Sequence, residues 1–226
     1  MKEEEVALAR SQIYKLLSLA LDYPGEPLKA SISDGLFISQ LTESAEKLPS
    51  YDLIKKYIQL LKTSIKKYGE NISSAILAEY IDLFGQNYKP KCSPYELEYL
   101  SRGPLFMNTA VLADIAGFYK AFGLQVANDS KDRVDHISIE LEFMYFLTFK
   151  EAFILKRGDH MGLEVCREAQ RKFLRDHLGL CTGLFHEKVK VNTNSGFYCE
   201  ITKLLDKFVS QDSKILDIKL FNAPHH

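Results

Sequence analysis

Apolar side chains recur along the chain at helical spacing, and no stretch alternates apolar with polar positions between hairpin turns, so the pattern predicts helices throughout. Val6, Ile13, Leu16, Leu17 and Ala20 form one stripe of a first helix from about Glu4 to Leu21, stopped by Tyr23, Pro24 and Gly25. A short segment covers Leu36 to Leu41. Leu53, Ile54, Tyr57, Ile58, Leu61, Ile65 and Tyr68 line the next helix, which Gly69 ends; Lys55, Lys56, Lys62 and Lys66 on its other side read as solvated surface. Ile72 to Phe84 follows, then a loop carrying Pro90 and Pro94, then a helix from about Met107 to Phe122.

The polar tract from Ala127 to Arg133 has no apolar stripe and is the expected hinge. After it, Val134 to about Lys156 is so rich in apolar residues that it should be buried on most sides, as a central strut. The remainder predicts helices near His160 to Arg175, Asp176 to Val189 and Ser195 to Ser210. The expected fold is all-α, a single globular domain over residues 1–226 with about eight to eleven helices. Exchange about the hinge would give a domain-swapped dimer, with the monomer as the default.

With 29 basic and 30 acidic side chains among 226 residues, the chain lacks the clustered positive charge that nucleic acid or anionic lipid requires. No nucleic-acid partner is expected. The four cysteines, Cys92, Cys166, Cys181 and Cys199, form no C-x-x-C pair and read as free thiols in a reducing compartment. The start of the chain is acidic where a secretory leader is basic, and no apolar run approaches the roughly 18 residues of a membrane span. The expectation is a cytoplasmic protein with no stable membrane insertion. Residues 223–226, ending in His225 and His226, are set aside as a tail or tag remnant.

Dinucleotide, P-loop and nucleophile-elbow signatures are missing. His186 and Glu187 begin a zincin motif that Lys190 breaks, and no histidine follows a glutamate at the spacing of a helical di-iron site. His160 and Glu164 share a helix face, as do His136 and Glu140. Asp135, His136, Glu140 and Glu142 gather anionic groups at the start of the apolar helix. One reading is electrostatic, with Asp132 capping the helix, Asp135 facing its dipole and the glutamates solvated. Another is a helical nucleotide- or metal-dependent hydrolase using Asp135, His136 and Glu140, although no phosphate cradle accompanies them. Arg167, Arg171 and Arg175 would suit a basic regulatory face, or a surface balanced by Glu164 and Glu168.

A second unusual stretch runs from Glu79, Tyr80 and Asp82 to Leu83 and Phe84, then through Pro94, Tyr95, Glu96 and Glu98 to Tyr99. Aromatic rings stack on guanidinium planes and carboxylates pair with them, so this composition suits capture of an extended arginine-bearing peptide. Core packing of Tyr80, Phe84, Tyr95 and Tyr99 accounts for the aromatics equally well.

Together the two stretches resemble the TorD/DmsD/NarJ-type family of molybdoenzyme chaperones. Its Tyr-x-x-Leu-Phe helix end is similar to Tyr80 through Phe84, its Pro-Pro-Tyr-Glu-Ser-x-Tyr loop to Ser93 through Tyr99, and its Asp-His and Glu-Leu-Glu-Phe helix to Asp135 through Phe143. Arg10 through Leu17 resembles the first family helix, and Phe173 through Leu178 with Gly196 to Tyr198 the last two. Ser93 and Leu97 depart from the loop pattern, and Cys181 stands about where a tryptophan is usual.

The resemblance implies a cytoplasmic chaperone and not an enzyme. Such a chaperone binds the twin-arginine leader of a molybdopterin-containing oxidoreductase catalytic subunit, or its apo form, until the cofactor is inserted. Glu96, Glu98, Asp135, Glu140 and Glu142 would pair the arginines, and Leu83, Phe84, Tyr95, Tyr99 and Phe143 would receive the apolar part, with Tyr80 and Pro94 completing the motifs. His136 would sense that acidic neighbourhood. No cofactor is expected of the chaperone itself, although guanine nucleotide has been proposed as a ligand for some members.

Overall fold

The computed structural model describes residues 2–85, 90–100, 105–127, 132–193 and 195–218. Among these the chain is helical, and its only extended pairing is an isolated antiparallel bridge between Tyr95 and His136. In order come α1 (Glu3–Leu21), α2 (Glu26–Ser33), α3 (Leu36–Glu46) and α4 (Tyr51–Tyr68), then a 3-10 turn at Gly69–Asn71 and α5 (Ile72–Phe84). The single turn α6 (Leu97–Leu100), α7 (Leu105–Ala121), α8 (Ile137–Arg157), α9 (His160–Asp176), α10 (Leu178–Asn192) and α11 (Phe197–Ile215) follow.

Local chemistry sets these limits. Pro27 sits in the first turn of α2, where its missing N–H costs nothing. Gly69 ends α4 and Gly158 ends α8, both at positive φ. Asp159 caps α9 by accepting from the Gly162 N–H at 2.9 Å. The cap of α8 differs from the sequence expectation: it is His136, whose Nδ1 accepts from Ser138 N–H at 3.2 Å, and not Asp132. α2 and α6 had no counterpart in the hydrophobic pattern, and α3 runs beyond Leu41 to Glu46. The hinge tract falls largely on residues 128–131, outside the described residues.

α1 and α8 run antiparallel along each other. Ser11 Oγ donates to Tyr145 O at 3.2 Å and Ser18 Oγ to Ser138 O at 2.8 Å, so small residues let the two backbones approach. α8 is the expected strut, buried except for an outer face where Phe149 and Phe153 reach solvent. The lysine face of α4 is exposed as expected, and the four cysteines are free and buried. Inside the bundle, Arg10 of α1 is fully buried and donates to Asp212 of α11, Glu151 of α8 at 2.7 Å and Gln170 of α9 at 2.6 Å. Tyr14 also donates to Asp212, at 2.7 Å. Four helices are thus tied by one network of charged hydrogen bonds, satisfied on every side as a buried ion must be.

Candidate functional site

The two motif stretches meet in space because the main chain joins them. Cys92 N–H donates to Leu83 O at 2.9 Å and anchors the segment to the end of α5. Glu96 N–H then donates to Asp135 O at 2.9 Å and Ile137 N–H to Pro94 O at 2.8 Å, which closes the bridge between Tyr95 and His136. Side chains alternate across an extended pair, so Tyr95 and Glu96 leave the bridge in different directions. An outer and an inner layer result.

The inner layer is acidic. Glu96, Asp135 and Glu140 are all buried, with His177 beside them. His177 Nδ1 lies 3.2 Å from Glu96 Oε1 and its Nε2 lies 3.0 Å from Asp114 Oδ2 on α7. Burial works against a charged imidazole here, but the Glu96 and Asp114 carboxylates outweigh it and hold His177 above its ordinary range. Were all the carboxylates ionised, both oxygens of Glu140 and Oε2 of Glu96 would have no donor. A proton on Glu140 donated to Glu96 satisfies one oxygen of each. Burial first, then the charges of Glu96 and Asp135, push Glu140 well above the usual carboxyl range. The same surroundings push the buried Cys181 thiol up, which keeps it in the neutral form.

The outer layer is aromatic and charged. Arg133 lies over the Tyr95 ring, 4.5 Å from its centroid, and donates through Nε and Nη2 to both oxygens of Asp135 at 2.9 and 2.8 Å. Tyr95 OH donates to Asp132 at 2.9 Å; partial burial and that carboxylate push the phenol up to about 12. Tyr80 packs edge-on to Tyr23 at 5.6 Å, and Tyr23 is 59% exposed. Asp22 and Asp132 act electrostatically on both Tyr80 and His136, which places the end of α1 on this surface as well. His136 is buried behind Tyr95, and its burial lowers its pKa.

These placements redistribute the expected site residues. Of five carboxylates expected on an open rim, Glu98 and Glu142 are exposed while Glu96, Asp135 and Glu140 are interior; the reading of solvated glutamates fails at Glu140 for the same reason. Leu83, Phe84, Pro94 and Phe143 are buried. Phe84 packs on Tyr198 and Phe185, and Phe143 on Phe173 and Tyr119, so core packing accounts for both. Tyr99 is half-buried, donates to Ser93 O at 2.6 Å and faces Phe185. Tyr80 and Tyr95 keep one edge toward solvent.

Asp135, His136 and Glu140 do not converge as a hydrolase would need. Asp135 turns to Arg133, His136 Nδ1 to Ser138 Oγ at 2.7 Å, and Glu140 to Glu96. Among the described residues no group of three or more His, Cys, Asp or Glu side chains is placed to hold a metal ion. Nor is there an open basic face on α9: Arg171 pairs with Glu164 and Glu168, Arg167 with Glu3 and Glu151, and Arg175 with Asp176. Sequence reasoning missed Asp22, Tyr23, Arg133, Asp114 and His177 as parts of this region. A tyrosine just past a helix end was the available signal at Tyr23, and the family-like stretch Phe173 through Leu178 was the one at His177; nothing local marked Asp114.

The all-α fold has a counterpart among solved structures, a putative redox enzyme maturation protein from Archaeoglobus fulgidus, with a TM-score of 0.50 and 20% identity over 89% of this chain and 93% of its own. The chain belongs to the nitrate reductase delta subunit family, whose model matches residues 49–186. It is similar to the perchlorate reductase assembly chaperone protein of Dechloromonas aromatica (strain RCB), 26% identical over 90% of this chain and 88% of that one. It is also similar to the chaperone protein TorD of Aliivibrio fischeri (strain ATCC 700601 / ES114), 26% identical over 92% and 94%.

Proposed function

We propose that the protein is an assembly chaperone for the catalytic subunit of a molybdopterin-containing oxidoreductase, and that it binds the twin-arginine leader of that subunit at the outer layer. The observation that carries this reading is the pairing of Tyr95 with Asp135, an aromatic face and a carboxylate set at the distances that hold a guanidinium. Tyr23 and Tyr80, packed edge-on, offer apolar surface for the rest of an extended peptide. The chaperone names of its relatives support the same class of activity. Among the described residues no helix is long and apolar enough to cross a membrane. In this reading the chaperone meets its client in the cytoplasm, before export, and the molybdopterin belongs to the client.

The test is binding of a labelled twin-arginine leader peptide, against the same peptide with both arginines changed to lysine, at two salt concentrations. Micromolar affinity with at least tenfold preference for arginine is expected, weakened severalfold by Tyr23→Ala and by Asp22→Asn. Equal binding of the two peptides, or no binding by protein shown to be helical and folded, overturns the reading.

A further inference from the structure

The aromatic and carboxylate groups that would receive a partner's arginine already hold one from this chain. Arg133 satisfies both halves of guanidinium recognition at once, with its plane over Tyr95 and two parallel N–H donors on Asp135. The groups beneath it are fixed by bonds of their own. Tyr95 is held by its hydroxyl on Asp132 and by the main-chain bridge on either side of it. Asp135 accepts Leu97 N–H at 3.2 Å, and its carbonyl accepts Glu96 N–H. Its carboxylate is fully buried, whereas the Arg133 side chain is 46% exposed. Arg133 therefore covers a preformed anionic seat from the solvent side and is the cation that pairs with the buried Asp135 carboxylate.

We propose that Tyr95 and Asp135, with Asp132 holding the Tyr95 hydroxyl, form a guanidinium seat that Arg133 occupies from within the chain, and that a partner's arginine enters only by displacing it. This deepens the leader-binding reading and rests on it for the identity of the partner. Displacement exchanges one guanidinium for another, so the charge on buried Asp135 is never left bare during binding. It also makes the site selective: a lysine offers a point charge without the planar fork, and cannot match the occupant it must replace. Because Arg133 is tethered beside the seat, its effective concentration is high, and it lowers the apparent affinity for every incoming arginine.

The experiment compares wild type with Arg133→Gln and Arg133→Lys, each shown to be folded by circular dichroism. The arginine leader peptide should bind both variants at least fivefold more tightly than wild type, and the lysine peptide should gain less than twofold. Arg133→Lys separates the seat from the general field, since it keeps the positive charge and loses only the fork. Methylguanidinium at millimolar concentration should raise the Tm of Arg133→Gln and leave wild type unchanged, with methylammonium as the inactive control. An Arg133→Lys protein that binds like wild type while Arg133→Gln gains equally for both peptides would reduce the effect to net charge and overturn the proposal. Weaker binding by both folded variants also overturns it, as does a methylguanidinium response that is the same in variant and wild type. If no form binds either peptide, the leader reading fails, and the methylguanidinium titration alone decides whether the seat exists.

Discussion

Replacing Glu140 with glutamine should stabilise the protein, and by an amount that grows with pH. Glu140 lies fully buried in the first turn of α8, and burial together with Glu96 and Asp135 holds its carboxyl well above the ordinary value of 4.5. In the unfolded chain the group ionises near that ordinary value. Below it both states carry the proton and Glu140 makes no pH-dependent contribution; above it only the folded state does, and stability falls by about 1.4 kcal/mol per pH unit until the folded group also ionises. The loss therefore grows with pH above the ordinary value for as long as the folded group keeps its proton. Glutamine has nearly the same shape, never ionises, and can donate its amide N–H to Glu96. An unmatched second N–H takes back about 1 kcal/mol. The expected outcome is a net stabilisation once pH is about one unit above the ordinary value, with each further unit adding about 1.4 kcal/mol, or about 3–6 °C in Tm for a chain of this size, while the folded carboxyl keeps its proton. Urea denaturation followed by circular dichroism at pH 4.5, 6 and 7.5 reads it as a difference between variant and wild type that widens with pH. His177, whose raised value contributes stability that is lost as pH rises through it, is present in both proteins and cancels in the difference. A constant difference across the range, or a variant less stable at pH 7.5, would refute a protonated Glu140.

Two further substitutions test how the frame behind the site is held. Arg10→Met leaves Asp212 and Glu151 buried without their main cation, so a loss of about 3–5 kcal/mol is expected in chemical denaturation; a loss under 1 kcal/mol would mean the network is dispensable. Gly196 has φ of 148°, and a Cβ there would meet the Glu79 carboxylate at 2.5 Å. That carboxylate accepts from Tyr198 N–H at 3.3 Å, and Tyr68 OH, which donates to the carboxylate, accepts from Phe197 N–H at 2.8 Å, at the start of α11. Gly196→Ala should therefore cost about 2–3 kcal/mol, and an unchanged denaturation midpoint would show that Glu79 can step aside freely.

Helix existence was legible in the sequence because burial in a bundle imposes a 3.6-residue period, and α1, α4, α5 and α8 all carry it. α2 was not, since its eight residues present only Leu28 and Ile32 to the core, too few to establish a period. The motif segments were legible as segments, but their side chains were not. Glu96 and Glu98 look equivalent in sequence; the Tyr95 to His136 bridge turns the first inward, and the helical turn α6 that begins at Leu97 carries the second outward. The roles of Arg10 and His177 were hidden for a different cause. Each is defined by partners far away in sequence, Asp212 and Glu151 for the one and Glu96 and Asp114 for the other, and no local pattern encodes a contact of that range.

The inner layer then explains why the outer one can be read as a binding surface at all. A protonated Glu140 beside Glu96 and His177 is a costly way to fill a core, and apolar side chains of similar volume would pack there with less penalty. What the polar set does that an apolar set would not is fix direction. Glu96 reaches Glu140 of α8, His177 between α9 and α10, and through His177 reaches Asp114 of α7, while its own N–H holds the Asp135 carbonyl. One residue therefore sets the register of the bridge against three elements. The neighbouring residues on the two sides of that bridge are Tyr95 and Asp135, the face and the carboxylate on which guanidinium recognition depends, and a slip of one residue would turn Tyr95 inward and Glu96 out.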